Sequence, residues 1–169
     1  MSDKGGQICD VSTTASNDRC ALGSGSWRVE SAEGKDAGDV VEYGDKLQLK
    51  NMWRNDDGDQ AYLDVCNMSD KGGQIYEVST TASNDRDNGS GTWQIESAAE
   101  GEGPVSIGSD VHLLNQYSDN FSYLDTCCRA EPDVLWADSQ IYDVSTTAEK
   151  NRDNGTGIWH IEWQAGLVV

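Results

Sequence analysis

The chain of 169 residues holds a single Phe, two His and no apolar run that approaches the length of a membrane span. Each scarcity closes off a class of function. Two histidines, His112 and His160, supply little acid–base chemistry, and no nucleophile elbow, P-loop, dinucleotide fingerprint or paired-histidine motif accompanies them. The sequence therefore predicts a protein that is not an enzyme and needs no cofactor. Without a spanning segment no membrane insertion is expected, and no basic stretch leading into an apolar one opens the chain as a signal peptide would. Basic residues are also few: 12 Lys and Arg stand against 30 Asp and Glu, a net charge of -18. Such a field repels phosphate backbones and anionic lipid, which disfavours nucleic acid and membrane surfaces as partners. Cations, neutral sugars and basic proteins are left. Six Trp and six Tyr take the place of Phe, so the core is expected to lean on large amphipathic rings.

What the chain does have is repetition. Val11-Ser12-Thr13-Thr14-Ala15-Ser16-Asn17-Asp18-Arg19 returns unaltered as Val78 to Arg86, and in altered form as Val144 to Arg152. Each copy runs through a Gly/Ser loop into a tryptophan, and Trp27, Trp93 and Trp159 recur at equal intervals. A second motif occurs twice between these segments: Gly44-Asp45-Lys46-Leu47-Gln48-Leu49-Lys50-Asn51 with Tyr62-Leu63-Asp64, and Ser109 to Asn115 with Tyr123-Leu124-Asp125. With the second motif named A and the Val-Ser-Thr-Thr motif named B, the order is B (1–34), A (44–66), B (68–101), A (108–128), B (138–163). One A is missing from a threefold cycle. Met1 to Ile8 repeats Met68 to Ile75, which suggests that Met1 is an internal residue of a longer precursor.

Period-two alternation in Lys46-Leu47-Gln48-Leu49, Ile75-Tyr76-Glu77-Val78 and Thr92-Trp93-Gln94-Ile95-Glu96 indicates strands, and no window holds a helical period. Each full repeat reads as about four short strands separated by Gly, Asn, Asp and Ser turns. Three four-stranded repeats about a pseudo-threefold axis make an all-β single domain, a β-trefoil with one half-repeat missing. A propeller needs at least four blades, and a solenoid would use shorter coils and marked caps.

The motifs also resemble a family. Gly-Asp-x-Val/Leu-x-Leu, Tyr-Leu-Asp, Gly-Gly-Gln-Ile-x-x-Val-Ser-Thr-Thr, an Asp/Asn-rich loop and Trp-x-Ile are similar to the repeat of MIR-type and other lectin-like β-trefoil domains. The resemblance covers nearly the whole chain and implies a trefoil with a binding role, often directed at glycans. The ricin-type Gln-x-Trp motif is absent.

Cys9 and Cys20 stand where the other copies carry Tyr76 with Asp87 and Tyr142 with Asp153. Two positions that change together suggest contact, so a Cys9–Cys20 disulfide is expected. Cys66 and Cys127 are equivalent, with Cys128 adjacent, and the odd total of five leaves at least one thiol free or bonded to another chain. Scattered cysteines and two histidines do not make a zinc site. The loop Asn84 to Gly89 has a calcium-loop composition, but the spacing fails, and Asx turns explain it better.

A pyranose offers an apolar face and a ring of hydroxyls, so a sugar site needs an aromatic ring beside paired polar groups. Trp53 and Tyr117 follow the equivalent Asn51 and Asn115 and lead into polar loops holding Asp57 and Asp59, and Asp119 and Asn120. These residues form the first candidate glycan site, with rings that merely close the cap as the alternative. Asp85, Arg86, Asn151 and Arg152 form the second. Trp27, Trp93 and Trp159 are expected in the core, with Glu30, Glu96 and Glu162 solvated beside them. Four Asn-x-Ser/Thr sequons, at Asn67, Asn88, Asn120 and Asn154, fit a secreted protein that could carry glycans. The open cycle and the apolar run Leu167 to Val169 favour a homo-oligomer built head to tail, which can extend into a filament.

Overall fold

The structure is a computed structural model that describes residues 7–17, 23–69, 72–119, 121–129 and 140–162. These residues are all strand, turn and irregular chain. The strands are β1 (Gln7–Asp10), β2 (Ser12–Thr14), β3 (Trp27–Ser31), β4 (Lys46–Asn51), β5 (Tyr62–Met68), β6 (Tyr76–Thr81), β7 (Trp93–Ser97), β8 (Asp110–Asn115), β9 (Ser122–Arg129), β10 (Gln140–Thr147) and β11 (Trp159–His160).

Equivalent sequences occupy equivalent places. Every identified pairing is antiparallel. Each Gly-Asp strand lies between the Trp strands of the B half-units before and after it: β4 between β3 and β7, β8 between β7 and β11. Each Tyr-Leu-Asp strand pairs with the Val-Ser-Thr-Thr strand that follows it, β5 with β6 and β9 with β10. The three Val-Ser-Thr-Thr segments then close on one another, through β6–β10, β1–β6 and β10–β2. This mutual closure is compatible with the threefold relation that the repeats predict.

Both long pairings carry the same irregularity. Cys66 and Asn67 together face Glu77, and Cys127 and Cys128 together face Asp143, two residues against one. Such a bulge kinks the strand and brings neighbouring side chains toward one side.

The core consists of Leu47, Leu49, Leu63, Val65, Tyr76, Val78, Trp93, Ile95, Val111, Leu113, Leu124 and Val144. None of these belongs to the first B half-unit. Trp93 is fully buried, whereas Trp27 and Trp159 are half-buried and pack against the core from its margin. The expected Trp core is therefore graded. Alternation also fails locally, because Gln48 and His112 are buried on strands that should turn them outward. Each is tied to a B-half-unit loop: Gln48 Oε1 accepts from Asn84 Nδ2 at 3.0 Å, and His112 Nδ1 lies 2.8 Å from the Gly157 carbonyl.

Candidate functional site

The A-half-unit hairpins present the two candidate rings in the same way. Asn51 Oδ1 accepts the Trp53 N–H at 3.0 Å, and Asn115 Oδ1 accepts the Tyr117 N–H at 3.0 Å. Both asparagines are buried and fix where the chain leaves the strand. Beyond that point the two sites differ. The Tyr117 ring packs on the core and meets Tyr76 edge-on, with centroids 5.5 Å apart. Trp53 is half-buried and is followed by a tight polar tip. Asn55 Oδ1 accepts the Asp57 and Asp59 N–H groups at 3.1 and 2.8 Å, and Arg54 Nη1 donates to the Gly58 carbonyl at 2.8 Å. The Asp56, Asp57 and Asp59 side chains face solvent. Asp119 is exposed on the second hairpin, and Asn120 lies outside the described residues.

The side chains of the second candidate cluster are engaged in contacts within the fold. Asp85 Oδ1 accepts the Gly89 N–H at 2.6 Å, and Asn151 Oδ1 accepts the Gly155 N–H, so these side chains shape their own loops. Arg86 Nη2 donates to the Val65 carbonyl at 3.0 Å and lies 2.9 Å from Asp64 Oδ1, while its Nε binds Asp87 at 2.6 Å. Arg152 repeats this with the Thr126 carbonyl at 3.2 Å, Asp125 at 3.8 Å and Asp153 at 2.7 Å. Each arginine thus joins a B-half-unit loop to the Tyr-Leu-Asp strand of the half-unit before it. Burial pushes the Asp64 carboxyl up to about 6, opposed by the Ser90 hydrogen bond and the Arg86 charge. Asp125 is raised for the same first reason, opposed by Thr156 and Arg152.

These buried pairs escape a reading of single residues. Their signal was the joint recurrence of Asp in Tyr-Leu-Asp and Arg in the loop. Two of the three glutamates, Glu30 and Glu96, also depart from the solvated role expected of them. Tyr62 donates its hydroxyl to Glu30 at 3.0 Å, Tyr123 to Glu96 at 3.4 Å, and Lys150 Nζ lies 2.8 Å from Glu96. Glu162 is exposed.

A cleft of about 340 Å³ is lined by Gly72, Gln74, Thr126, Cys127, Cys128, Arg152, Asp153 and Thr156. Burial, reinforced by the neighbouring Cys128, raises the Cys127 thiol, and Cys128 is exposed. The Cys9 thiol is unbonded, contrary to the disulfide expected with Cys20, which lies outside the described residues. Cys9 sits half-buried on β1, its backbone N–H bonded to Thr80 Oγ1 at 3.1 Å, and burial raises its thiol. Among the described residues no group of three or more His, Cys, Asp or Glu side chains is placed to hold a metal ion. No described helix is long and apolar enough to cross a membrane.

The arrangement of strands is found in other proteins. The structure is similar to the crystal structure of the SDF2-like protein from Arabidopsis thaliana, with a TM-score of 0.59 and 20% identity over 79% of this chain and 67% of that one. It is also similar to the botulinum neurotoxin serotype D binding domain, with a TM-score of 0.54 and 12% identity over 79% of this chain and 31% of that one. The receptor binding domain of botulinum neurotoxin C/D mosaic serotype gives 0.55 and 13% over 82% and 32%. The likeness is one of fold. These are β-trefoil proteins, and the chain spans about a third of the length of the two toxin chains. No family model matches the chain, and no curated protein matches it in sequence.

Proposed function

We propose that the chain is a secreted, non-catalytic β-trefoil lacking one A half-unit, and that it binds carbohydrate at the hairpin 51–60. The observation that carries this reading is the contrast between two equivalent rings. Both rings are half-buried, but Tyr117 packs on the core and meets Tyr76, whereas Trp53 is not part of the core cluster and leads into the exposed Arg54 to Asp59 tip. An indole followed by exposed carboxylates and a guanidinium suits a pyranose, whose C–H face stacks while its hydroxyls pair with the polar groups. Exposed sequon asparagines at Asn67, Asn88 and Asn154 support passage through a secretory compartment. The MIR-like repeat and the binding domains among the structural neighbours support a binding role.

A glycan array probed with the full chain tests the proposal. Truncation of a stacking ring should cost on the order of 2 kcal/mol, so Trp53→Ala is expected to abolish most of the signal while the near-UV dichroism persists. An array without hits at high protein concentration would remove the carbohydrate reading. A second reading, a self-assembling extracellular protein with head-to-tail contacts, is favoured by β3 and β11, each paired along one edge among the described residues. Light scattering of the chain with and without Leu167 to Val169 tests that reading.

A further inference from the structure

Each A half-unit is held between two B half-units by one set of contacts, and the structure shows that set twice. Toward the B half-unit before it, an Asn amide caps two loop carbonyls. Asn51 Nδ2 reaches Ser24 O and Ser26 O at 3.0 and 3.4 Å, and Asn115 Nδ2 reaches Ser90 O and Thr92 O at 3.0 and 3.3 Å. A Tyr hydroxyl meets the Glu of the same B half-unit, as in Tyr62 with Glu30 and Tyr123 with Glu96. Toward the B half-unit after it, the Leu carbonyl accepts an indole N–H: Leu63 from Trp93 at 3.1 Å, Leu124 from Trp159 at 3.0 Å.

The last and first B half-units carry the same groups, and no A half-unit lies between them among the described residues. The Ile158 carbonyl occupies the place of those of Ser26 and Thr92, and among the described residues no Asn amide reaches it. Glu162 takes the place of Glu30 and Glu96 and is exposed. On the other side, Trp27 Nε1 has no carbonyl acceptor among the described residues, unlike Trp93 and Trp159. Val29 is 45% exposed where the equivalent Ile95 is 3% exposed. His160 and Glu162 of the last B half-unit and Asn17, Gly25 and Ser26 of the first line a common cavity of about 270 Å³.

We propose that the cleft between β11 and β3 is a docking surface for one A-type β-hairpin with the strand pattern of residues 44–66. The occupant follows from the two filled positions in the same molecule. Main-chain pairing along the edges of β3 and β11 that are unpaired among the described residues supplies affinity, as in strand addition. The specific contacts are an Asn amide to the Ile158 carbonyl, a Tyr hydroxyl to Glu162 and a Leu carbonyl to Trp27 Nε1. A hairpin without that Asn or Tyr buries polar groups unpaired, and this sets the specificity. The inference rests on the trefoil arrangement and not on glycan binding, which the array tests separately.

The experiment titrates a synthetic peptide of residues 43–67 into the full chain, followed by Trp fluorescence and native mass spectrometry. A one-to-one complex is expected. Binding should fall at least tenfold for the peptide carrying Asn51→Leu with Tyr62→Phe, and for the chain carrying Val29→Asp. Hydrogen exchange supplies the control for folding: β3 and β11 amides of the free chain exchange faster than those of β7 and become protected when peptide is added. Absence of a complex, or equal binding of a scrambled peptide, would overturn the proposal. So would β3 amides already as protected as those of β7 in the free chain, or a stable dimer that excludes the peptide.

Discussion

Asp64, fully buried on β5, lies 2.9 Å from Arg86 Nη2, and the two residues belong to different half-units. The Arg86 Nη2 hydrogen bond goes to the Val65 carbonyl, so the contact with Asp64 is chiefly Coulombic, and Ser90 Oγ supplies the hydrogen bond to Asp64 Oδ2 at 2.7 Å. Desolvation outweighs both partners and raises the carboxyl to about 6. An acid whose folded-state pKa exceeds its unfolded value takes up a proton on folding between the two. The stability contributed by protonated Asp64 is therefore full below the unfolded value of 3.8 and is lost as the pH rises through about 6. The urea midpoint of the wild type should rise from pH 7 to pH 5, and the rise should be smaller in Asp64→Asn. Equal pH dependence in the two proteins would show that Asp64 titrates normally.

The three tryptophans should differ in worth. Trp93 is fully buried, and its truncation to Ala is expected to cost about 3–5 kcal/mol. Trp27 packs on the core from the margin and has no indole acceptor among the described residues, so Trp27→Ala should cost clearly less. Urea denaturation of both variants checks the order, and equal costs would contradict the graded core.

Two loop glycines are required by close approach of backbone. A Cβ at Gly91 would collide with the Asn84 carbonyl, and one at Gly157 with the Lys150 carbonyl. Neither obstacle is a flexible side-chain end, so the loop itself must move. Gly91→Ala and Gly157→Ala are each expected to lower stability by more than about 1 kcal/mol, read as a drop in thermal midpoint. Gly34→Ala is no free control, since its φ of +84° disfavours a side chain even in open space.

The bulged thiols should react unequally. Cys128 is exposed, whereas burial raises the Cys127 thiol and lowers its thiolate fraction. Timed alkylation with iodoacetamide at pH 8, read by peptide mass spectrometry, should label Cys128 first. Faster labelling of Cys127 would mean that the bulge opens in solution.

Much of the strand pattern was legible because repetition does what a single copy cannot. Leu47, Val78 and Ile95 recur at equivalent places, and a residue type kept in several copies of one unit marks either the core or a turn. The burial of Gln48 and His112 was not legible because period-two alternation knows only two faces, and a loop from the next half-unit covers the second one. The glycan candidates Trp53 and Tyr117 were indistinguishable in sequence, since both follow an Asn and lead into a polar loop. Their environments differ through Tyr76, which is distant in the chain from both.

The sequence alone determined the all-β class, the half-unit alternation and the count of three B half-units to two A, because these are properties of local pattern and copy number. Tertiary structure decided which copy bears the consequence. Val29 and Ile95 occupy the same position in their repeats and differ in exposure because β7 has a Gly-Asp strand on each side and β3 has one on a single side among the described residues. Burial is a property of neighbours, and neighbours come from the closure of the sheet.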